Sequence, residues 1–308
     1  MMKKMLNLTN NGLTAIPQSV FAQTSLETLY LDENAIAEIP QEITKLTNLK
    51  KLSIYKNQLH ELPEYLFTLK SLQKINASAN NITILSERLE WLTNLHTLDI
   101  QHNGLLTLPD TIGKLTELEF LYLGGNKLTT LPGTIKKLRK LKYLNLTHNQ
   151  FDSLPTAIGS LASLIELRIY NNNIAKLPAS IGNLTKVLEI HAMKNKLTAL
   201  PNTIGNLTRL RKLSLEDNLL AKLPDNVGNL RALTDLDLRT NKLQSLPDSM
   251  GDLKNLRFLD LRDNNLKKLP ENITHLKKLE KLDVRLNKYL EIPTWFATLK
   301  KRGCVIYS

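Results

Sequence analysis

The sequence has little cysteine: Cys304 is the single one in 308 residues. A lone cysteine excludes a disulfide within the chain, and with it the small secreted folds that disulfides hold together. We therefore expect a reducing compartment, in which Cys304 serves as a small hydrophobic side chain.

Long hydrophobic runs are also missing. No stretch approaches the roughly 18 consecutive apolar residues that a membrane-spanning helix needs. Asn7, Asn10 and Asn11 interrupt what would have to be the apolar segment of a signal peptide after Lys3 and Lys4. These absences predict a cytoplasmic protein without a membrane span, while export of an effector without a signal peptide stays open.

Signatures of catalysis are absent as well. The sequence has no G-x-S-x-G, no H-E-x-x-H and no paired C-x-x-C, which are patterns of common hydrolases and zinc sites. Gly124 and Gly125 precede no GK[ST] of a phosphate loop, so we expect them to be needed only as small residues. We predict no enzyme activity, no catalytic residue, no cofactor and no metal site.

Acidic residues are scarce in the second half of the chain. Residues 1–154 hold 16 lysines and arginines against 14 aspartates and glutamates, whereas residues 155–308 hold 25 against 15. A basic half can attract nucleic acid or an anionic membrane. The simpler interpretation is that lysine keeps a long apolar repeat array in solution, so nucleic-acid binding is the less favoured hypothesis.

What the sequence does contain is a repeat. Asparagine recurs every 23 residues from Asn11 to Asn287, which gives thirteen repeats without an insertion. Around each one the frame reads L-x-x-L-x-L-x-x-N-x-L-x-x-L-P-x-x-I-x-x-L-x-x, as in LTDLDLRTNKLQSLPDSMGDLKN. This periodicity predicts one solenoid over residues 1–308. Its last repeat begins near residue 279, and residues 294–308 form a closing segment.

Each repeat predicts one short strand. The L-x-L pattern has the period of a strand, so Leu259 and Leu261 point into the core while Asp260 and Arg262 point to solvent. Proline then stops the sheet, and P-x-x-I-x-x-L returns the chain through a short 3₁₀, helical or extended segment. No repeat buries its apolar face alone, so the repeats stack into an α/β repeat solenoid with a parallel sheet.

With these thirteen frames the chain resembles leucine-rich repeat proteins over essentially its whole length. The 23-residue frame with LP and I-x-x-L is similar to that of intracellular and bacterial members. These are Ras-suppressor-type proteins, plant Ras-group-related proteins and leptospiral repeat proteins. The resemblance implies a right-handed horseshoe with a concave parallel β-sheet, and a scaffold that binds proteins.

The frame asparagine has a predicted structural role. The chain turns directly after the strand, where backbone groups would otherwise be buried without partners. An amide side chain supplies two donors and an acceptor to such groups, and one per repeat forms a ladder. The predicted ladder consists of Asn34, Asn57, Asn80, Asn103, Asn126, Asn149, Asn172, Asn195, Asn218, Asn241, Asn264 and Asn287.

A few repeats depart from the frame. Ser86 replaces the proline of the fourth repeat, so SERLEWL is expected to wind into a helical turn that presents Trp91 on the convex side. In the thirteenth repeat Tyr289 takes a core position, and the final CVIYS is expected to add an edge strand. His102 and His148 occupy equivalent positions two repeats apart, about 10 Å by strand spacing, which is too far for a shared metal.

The outward strand positions are left free by the frame, and function must lie in them. They give a central patch of Phe120, Tyr122, Tyr143, Arg168, Tyr170 and His191, and a C-terminal patch of Asp237, Arg239, Asp260, Arg262, Asp283 and Arg285. The central patch is either an anchor for a protein partner or a set of rings that shields the sheet. The C-terminal patch is either a self-neutralising charge ladder or a surface that reads a partner.

The sequence therefore predicts a non-enzymatic scaffold that binds a protein or peptide through its concave face. The alternative is the substrate-recognition module of a larger enzyme or secreted bacterial effector, with the catalytic domain outside this chain. A third hypothesis, nucleic-acid binding by the basic half, predicts steep salt dependence of retention on heparin. The oligomeric state is open.

Overall fold

The computed structural model describes residues 4–308. The chain divides into two compact units, Met1–Gln150 and Phe151–Ser308. Both units are stacks of the 23-residue repeat, and the predicted α/β repeat solenoid with parallel strands is confirmed within each. That the two units form one solenoid stays a prediction.

Each repeat contributes a strand of three residues, because the asparagine turn and the proline leave room for no more. Within residues 4–150 the strands are β1 (Met5–Asn7), β2 (Thr28–Tyr30), β3 (Lys51–Ser53), β4 (Lys74–Asn76), β5 (Thr97–Asp99), β6 (Phe120–Tyr122) and β7 (Tyr143–Asn145). Within residues 151–308 they are β8 (Glu166–Arg168), β9 (Glu189–His191), β10 (Lys212–Ser214), β11 (Asp235–Asp237), β12 (Phe258–Asp260), β13 (Lys281–Asp283) and β14 (Val305–Tyr307).

Neighbouring strands in each unit are parallel and pair residues of the same repeat position. In the second unit, for example, Leu213 of β10 lies opposite Ile190 of β9 and Leu236 of β11. These middle residues are buried, whereas the residues on either side of them face away from the core. Because the register is constant, each outward position forms a column of side chains across the strands. We call the surface made by these columns the open face.

After each strand the chain returns through a short 3₁₀ segment. Among the described residues these segments are Gln18–Val20, Gln41–Lys45, Glu64–Thr68, Glu87–Trp91, Asp110–Lys114, Gly133–Lys137, Thr156–Ser160, Ala179–Asn183, Asn202–Asn206, Asp225–Asn229, Asp248–Asp252 and Glu271–His275. Proline precedes each one except the fourth, where Ser86 accepts the N–H of Arg88 through its hydroxyl. The turn predicted for SERLEWL is thus confirmed, and Trp91 is 38% exposed.

The frame asparagines make the same hydrogen bonds in repeat after repeat. The amide nitrogen of Asn218 donates to the carbonyl oxygens of Ala192, Leu215 and Glu216 at 3.0, 3.0 and 3.2 Å. Its oxygen accepts the N–H of Leu197 at 3.0 Å, so one side chain joins two repeats. Nine of the twelve predicted ladder asparagines are buried, and the other three are half-buried.

Gly124 and Gly125 are needed for different reasons. A Cβ at Gly124 would lie 2.8 Å from the hydroxyl oxygen of Thr147, so this residue must be small, as expected. Gly125 has a φ of +69°, and a Cβ there would lie 2.5 Å from Nδ1 of His102. Position 125 therefore has no room for a Cβ and also has a left-handed backbone, and glycine satisfies both conditions without strain.

The 3₁₀ segments of the second unit approach one another closely at a column of glycines. In each of these residues a Cβ would lie 2.3 to 2.5 Å from a backbone carbonyl oxygen of the next segment. Such distances are far below van der Waals contact, so the backbones pack where a side chain would stand. The column consists of Gly159, Gly182, Gly205, Gly228 and Gly251.

The residues after Asn287 leave the repeat frame. The N–H of Leu290 donates to the carbonyl of Asn287 at 3.1 Å, which makes a turn where other repeats are extended. Tyr289 consequently points outward and is 64% exposed, so the prediction that it is a core residue is wrong.

A closing segment follows this turn. Helix α1 (Phe296–Lys301) buries Phe296 and Leu299, and β14 pairs with β13 as the predicted edge strand. Cys304 is buried, as expected of a small hydrophobic residue, and burial raises the pKa of its thiol. No helix within residues 4–308 is long and apolar enough to cross a membrane.

Candidate functional site

Polar side chains of the open face form a local hydrogen bond at the ends of several strands. An aspartate or asparagine at the third strand position accepts the backbone N–H two residues later. Examples are Asn145 with the N–H of Thr147 at 3.0 Å, and Asp237 with that of Arg239 at 3.2 Å. Short polar side chains favour such turns because they replace a backbone acceptor. The aspartates of the C-terminal patch thus have a structural role in ending their strands.

Two pairs of the C-terminal patch are closed ion pairs. Arg262 donates from Nε and Nη2 to the carboxylate of Asp260 at 2.9 and 2.6 Å. Arg285 does the same to Asp283 at 2.9 and 2.7 Å. Although burial opposes ionisation of Asp283, the hydrogen bonds and charge of Arg285 hold the pKa of this carboxyl below its usual range. These two pairs neutralise themselves.

The third pair, Asp237 and Arg239, is arranged differently. Nη2 of Arg239 donates to Glu216 at 2.8 Å, which draws the guanidinium away from Asp237. Nε of Arg239 lies 3.2 Å from Oδ2 of Asp237, yet it is buried without a hydrogen bond. Burial raises the pKa of the Asp237 carboxyl, aided by the charges of Asp260 and Glu216 and opposed by Arg239. Asp237 is therefore the least neutralised carboxylate of the three.

Asp237→Asn should stabilise the protein at neutral pH. The amide still accepts the N–H of Arg239, but the partly desolvated charge is gone. Folding raises the pKa of Asp237, so the ionised carboxylate destabilises the folded protein at pH values above its folded pKa. This destabilisation disappears as the pH falls below the pKa of an aspartate in the unfolded chain, about 3.9. The gain in urea midpoint should therefore shrink between pH 7 and about pH 4.

Urea titrations of the parent, Asp237→Asn and Asp217→Asn at both pH values measure this effect. Asp217 is an exposed carboxylate of the neighbouring repeat, and its substitution is expected to give no such gain. A gain for Asp237→Asn that is constant or grows on acidification would contradict the raised pKa.

Asp237 borders a depression of about 400 Å³ on the open face of the second unit. Ser214 is small and only 5% exposed, whereas its neighbours on the adjacent strands, His191 and Asp237, are larger. The gap above Ser214 explains the depression. Its lining residues are His191, Met193, Lys212, Ser214, Glu216, Asp235, Leu236, Asp237, Arg239, Phe258, Leu259, Asp260 and Lys281.

The residues of the predicted central patch are distributed over both units. In the first unit the rings of Tyr122 and Tyr143 lie 4.8 Å apart between centroids, with their planes at 37°. Phe120 precedes them in the same column as Tyr143. The other three residues, Arg168, Tyr170 and His191, belong to the repeats of β8 and β9 in the second unit. Of the six, His191 lines the depression.

An acidic pair beside His191 was missed by sequence reasoning. Glu166 and Glu189 are register neighbours on β8 and β9, and Nε2 of His191 lies 2.9 Å from Glu189 and 3.8 Å from Glu166. One ligand atom of each lies within 4.8 Å of the others, and zinc accepts such donors. Nε of Arg168, 2.5 Å from Glu166, already supplies a positive charge here. The sequence did contain a sign of this acidic pair, because Glu166 and Glu189 are 23 residues apart and so hold the same repeat position.

Parallel three-residue strands, 3₁₀ returns and buried frame asparagines define a class of repeat proteins that display one open sheet face. The family model described as leucine rich repeat matches residues 4–59, 93–151 and 208–266. A second model, leucine-rich repeat region, matches residues 132–219. The chain belongs to the leucine-rich repeat family.

Solved structures show the same relationship. A leucine-rich repeat protein of Leptospira interrogans is 30% identical, with a TM-score of 0.67 over 98% of this chain and 95% of that one. The plant peptide hormone receptor RGFR1, solved in complex with RGF2, is 29% identical with a TM-score of 0.77. That match covers 87% of this chain and 45% of the receptor. An internalin of Listeria monocytogenes, 23% identical with a TM-score of 0.84, shares the fold over 99% of this chain and 86% of its own. No curated protein sequence matches the chain.

Proposed function

We propose that this chain is a non-enzymatic recognition protein that binds a protein or peptide partner through its open face. The depression in the second unit carries the proposal, because about 400 Å³ of volume is lined by apolar walls and fixed polar groups. Tyr122 and Tyr143 in the first unit add aromatic surface of the kind enriched at interfaces. The plant receptor, solved with its peptide hormone, supports a peptide as the ligand class.

The polar groups of the depression support binding rather than catalysis. Ser214 lies between His191 and Asp237 on neighbouring strands, an order that could suggest a nucleophile and its base. Nε2 of His191 is instead held by Glu189 at 2.9 Å. No hydrogen bond joins Ser214 to His191 in the described chain, whereas an activated serine needs that contact.

A second candidate function is recognition within a larger enzyme or effector. The match to the plant receptor shows such a repeat region within a longer chain, since it covers 45% of that chain. The open face would keep its role, and catalysis would reside outside this chain. We further propose a cytoplasmic location, which the lone buried Cys304 supports.

Nucleic acid is a less suitable ligand for the depression. The lining contains four carboxylates and three cationic side chains, although residues 155–308 as a whole are strongly basic. Carboxylates repel the phosphate groups that supply most of the affinity for nucleic acid. The basic residues of this half therefore lie mainly outside the depression.

Ser214→Tyr should weaken partner binding by filling the depression. Tyrosine is compatible with this strand position, because Tyr30 and Tyr122 occupy it in β2 and β6. Peptides selected by the immobilised parent from a random displayed library should bind Ser214→Tyr at least about tenfold more weakly. Biolayer interferometry with purified peptides measures the difference.

Ser53→Tyr is the matched control. Ser53 ends the strand Lys51–Ser53, which has the same sequence as Lys212–Ser214 but lies in the first unit. Peptides that bind parent and Ser53→Tyr equally, and Ser214→Tyr poorly, fit the proposal. If no selected peptide distinguishes Ser214→Tyr from the parent, the depression is not the binding site.

A further inference from the structure

We propose that the depression selects a basic side chain, arginine or lysine, of the partner, and that Asp237 is the carboxylate that binds it. This inference rests on the function proposed above and adds the chemistry of the recognised residue. Its basis is a contrast among Asp237, Asp260 and Asp283, which hold the same position in three consecutive repeats and pair in register across β11, β12 and β13.

The first step is that Asp237 is paired with an arginine less fully than Asp260 and Asp283 are, by one contact of 3.2 Å without a hydrogen bond. Arg262 and Arg285 each grip the aspartate of their own repeat with two nitrogens. The equivalent Arg239 turns to Glu216, and its Nε forms no hydrogen bond to Asp237. Glu216 thus takes the cation that the repeat pattern would have given to Asp237.

The second step is that Asp237 can be reached from solvent. The Asp283 side chain is fully buried at 0% exposure, whereas that of Asp237 is 26% exposed and lines the depression. Its Oδ1 accepts the N–H of Arg239. Its Oδ2 lies near Nε of Arg239 without a hydrogen bond, so this oxygen retains acceptor capacity for a ligand.

The third step concerns the charges around Asp237. Asp260 and Glu216 both oppose its ionisation, and Arg239 is the cation that offsets them. Of the two lysines in the lining, Lys281 places Nζ 5.2 Å from the ring centroid of Tyr307. A ligand cation would therefore stabilise a carboxylate that is now only partly neutralised, and hydrogen bonds between charged groups are about twice as strong as neutral ones.

Lys212 is the remaining cation of the lining. Its strand position pairs in register with Glu189 on one side and Asp235 on the other. Both neighbours are carboxylates, so Lys212 stands between two opposite charges in its own column. Repulsion of a ligand cation by Lys212 is correspondingly reduced.

The final step is the shape of the site. Met193 and Phe258 provide apolar lining on columns that flank the Ser214–Asp237 column, and Phe258 is 37% exposed. Arginine and lysine carry a methylene stem that packs on apolar surface while the charged end reaches a polar group. A stem over Ser214 between these two residues would bring its charged end to Asp237.

Two short peptides test the inference directly. One is N-acetyl-glycyl-arginyl-glycinamide, and the other carries citrulline, which keeps the shape of arginine without its charge. The backbone amide signals of Ser214 and Asp237 in isotope-labelled protein should shift with the arginine peptide, at an affinity at least about fivefold above that of the citrulline peptide. In Asp237→Asn the affinity for the arginine peptide should fall to that for the citrulline peptide.

Asp217→Asn is the matched control, since it removes the same charge from an exposed site of the tenth repeat, and it should keep the preference for arginine. Equal affinities for the two peptides, or a preference that survives in Asp237→Asn, would overturn the assignment. Library peptides that are sensitive to Ser214→Tyr but contain no excess of arginine or lysine would refute this inference alone. A library that yields no such sensitive peptide would remove the proposed function as well.

Discussion

Asn218→Ala should lower the free energy of unfolding by about 2–3 kcal/mol. The main loss is at the N–H of Leu197, a buried donor whose acceptor is the side-chain oxygen of Asn218. The carbonyls of Ala192 and Leu215 keep bonds from the neighbouring ladder residues, so their loss is partial. A donor left buried without a partner costs about 1–3 kcal/mol, and the cavity left by the amide adds to this. The midpoint of urea unfolding measures the change.

Asn226→Ala is the control for this substitution. Asn226 belongs to the same repeat, but it is exposed and donates a single bond of 3.3 Å to the carbonyl of Asn202. Its replacement should cost no more than about 0.5 kcal/mol, as for most surface residues. Similar midpoints for the two variants would contradict the structural role of the ladder. In the first unit Asn126→Ala should behave like Asn218→Ala, because it removes the same set of bonds.

The ladder and the strands could be predicted because each follows from a period. Leucines two apart fix a strand with one buried face, and an asparagine every 23 residues fixes the turn that follows. Tyr289 shows the limit of this reasoning. It occupies a leucine position of the frame, yet the hydrogen bond between Leu290 and Asn287 replaces the extended segment that would have turned it inward.

The candidate site was predictable only in part, for a related reason. Asp237 and Arg239 repeat the pattern of Asp260 with Arg262, so the sequence assigns them the same contact. The difference comes from Glu216, which stands one repeat earlier in the arginine column and competes for Arg239. The depression likewise depends on a single small residue, Ser214, between larger neighbours. Such effects arise between side chains of neighbouring repeats, at the outward positions that the repeat frame leaves free.

The repeat frame also did not predict how closely neighbouring 3₁₀ segments pack. Equivalent positions of the first unit carry Thr44, Phe67, Glu90 and Lys136 beside one glycine, Gly113, so the frame tolerates large side chains there. In the second unit a run of five glycines occupies the position, and the neighbouring backbone fills the space of the missing side chains. Whether a glycine is required depends on the distance to the next segment, which the sequence does not state.

Gly205→Ala should therefore destabilise the protein by about 1–3 kcal/mol, although alanine is the better former of a helical turn. The added Cβ would lie 2.3 Å from the carbonyl oxygen of Asn226 and 2.9 Å from its Cβ, and the backbone of that segment must shift. The gain from a less flexible unfolded chain, about 0.4–1 kcal/mol, is smaller than this cost. Gly133→Ala, with nothing within 4 Å of the added Cβ, isolates that gain and should be neutral or slightly stabilising. We expect the urea midpoint to be highest for Gly133→Ala, lower for the parent and lowest for Gly205→Ala. A midpoint of Gly205→Ala at or above that of the parent would mean that the 3₁₀ segments can separate without loss of stability.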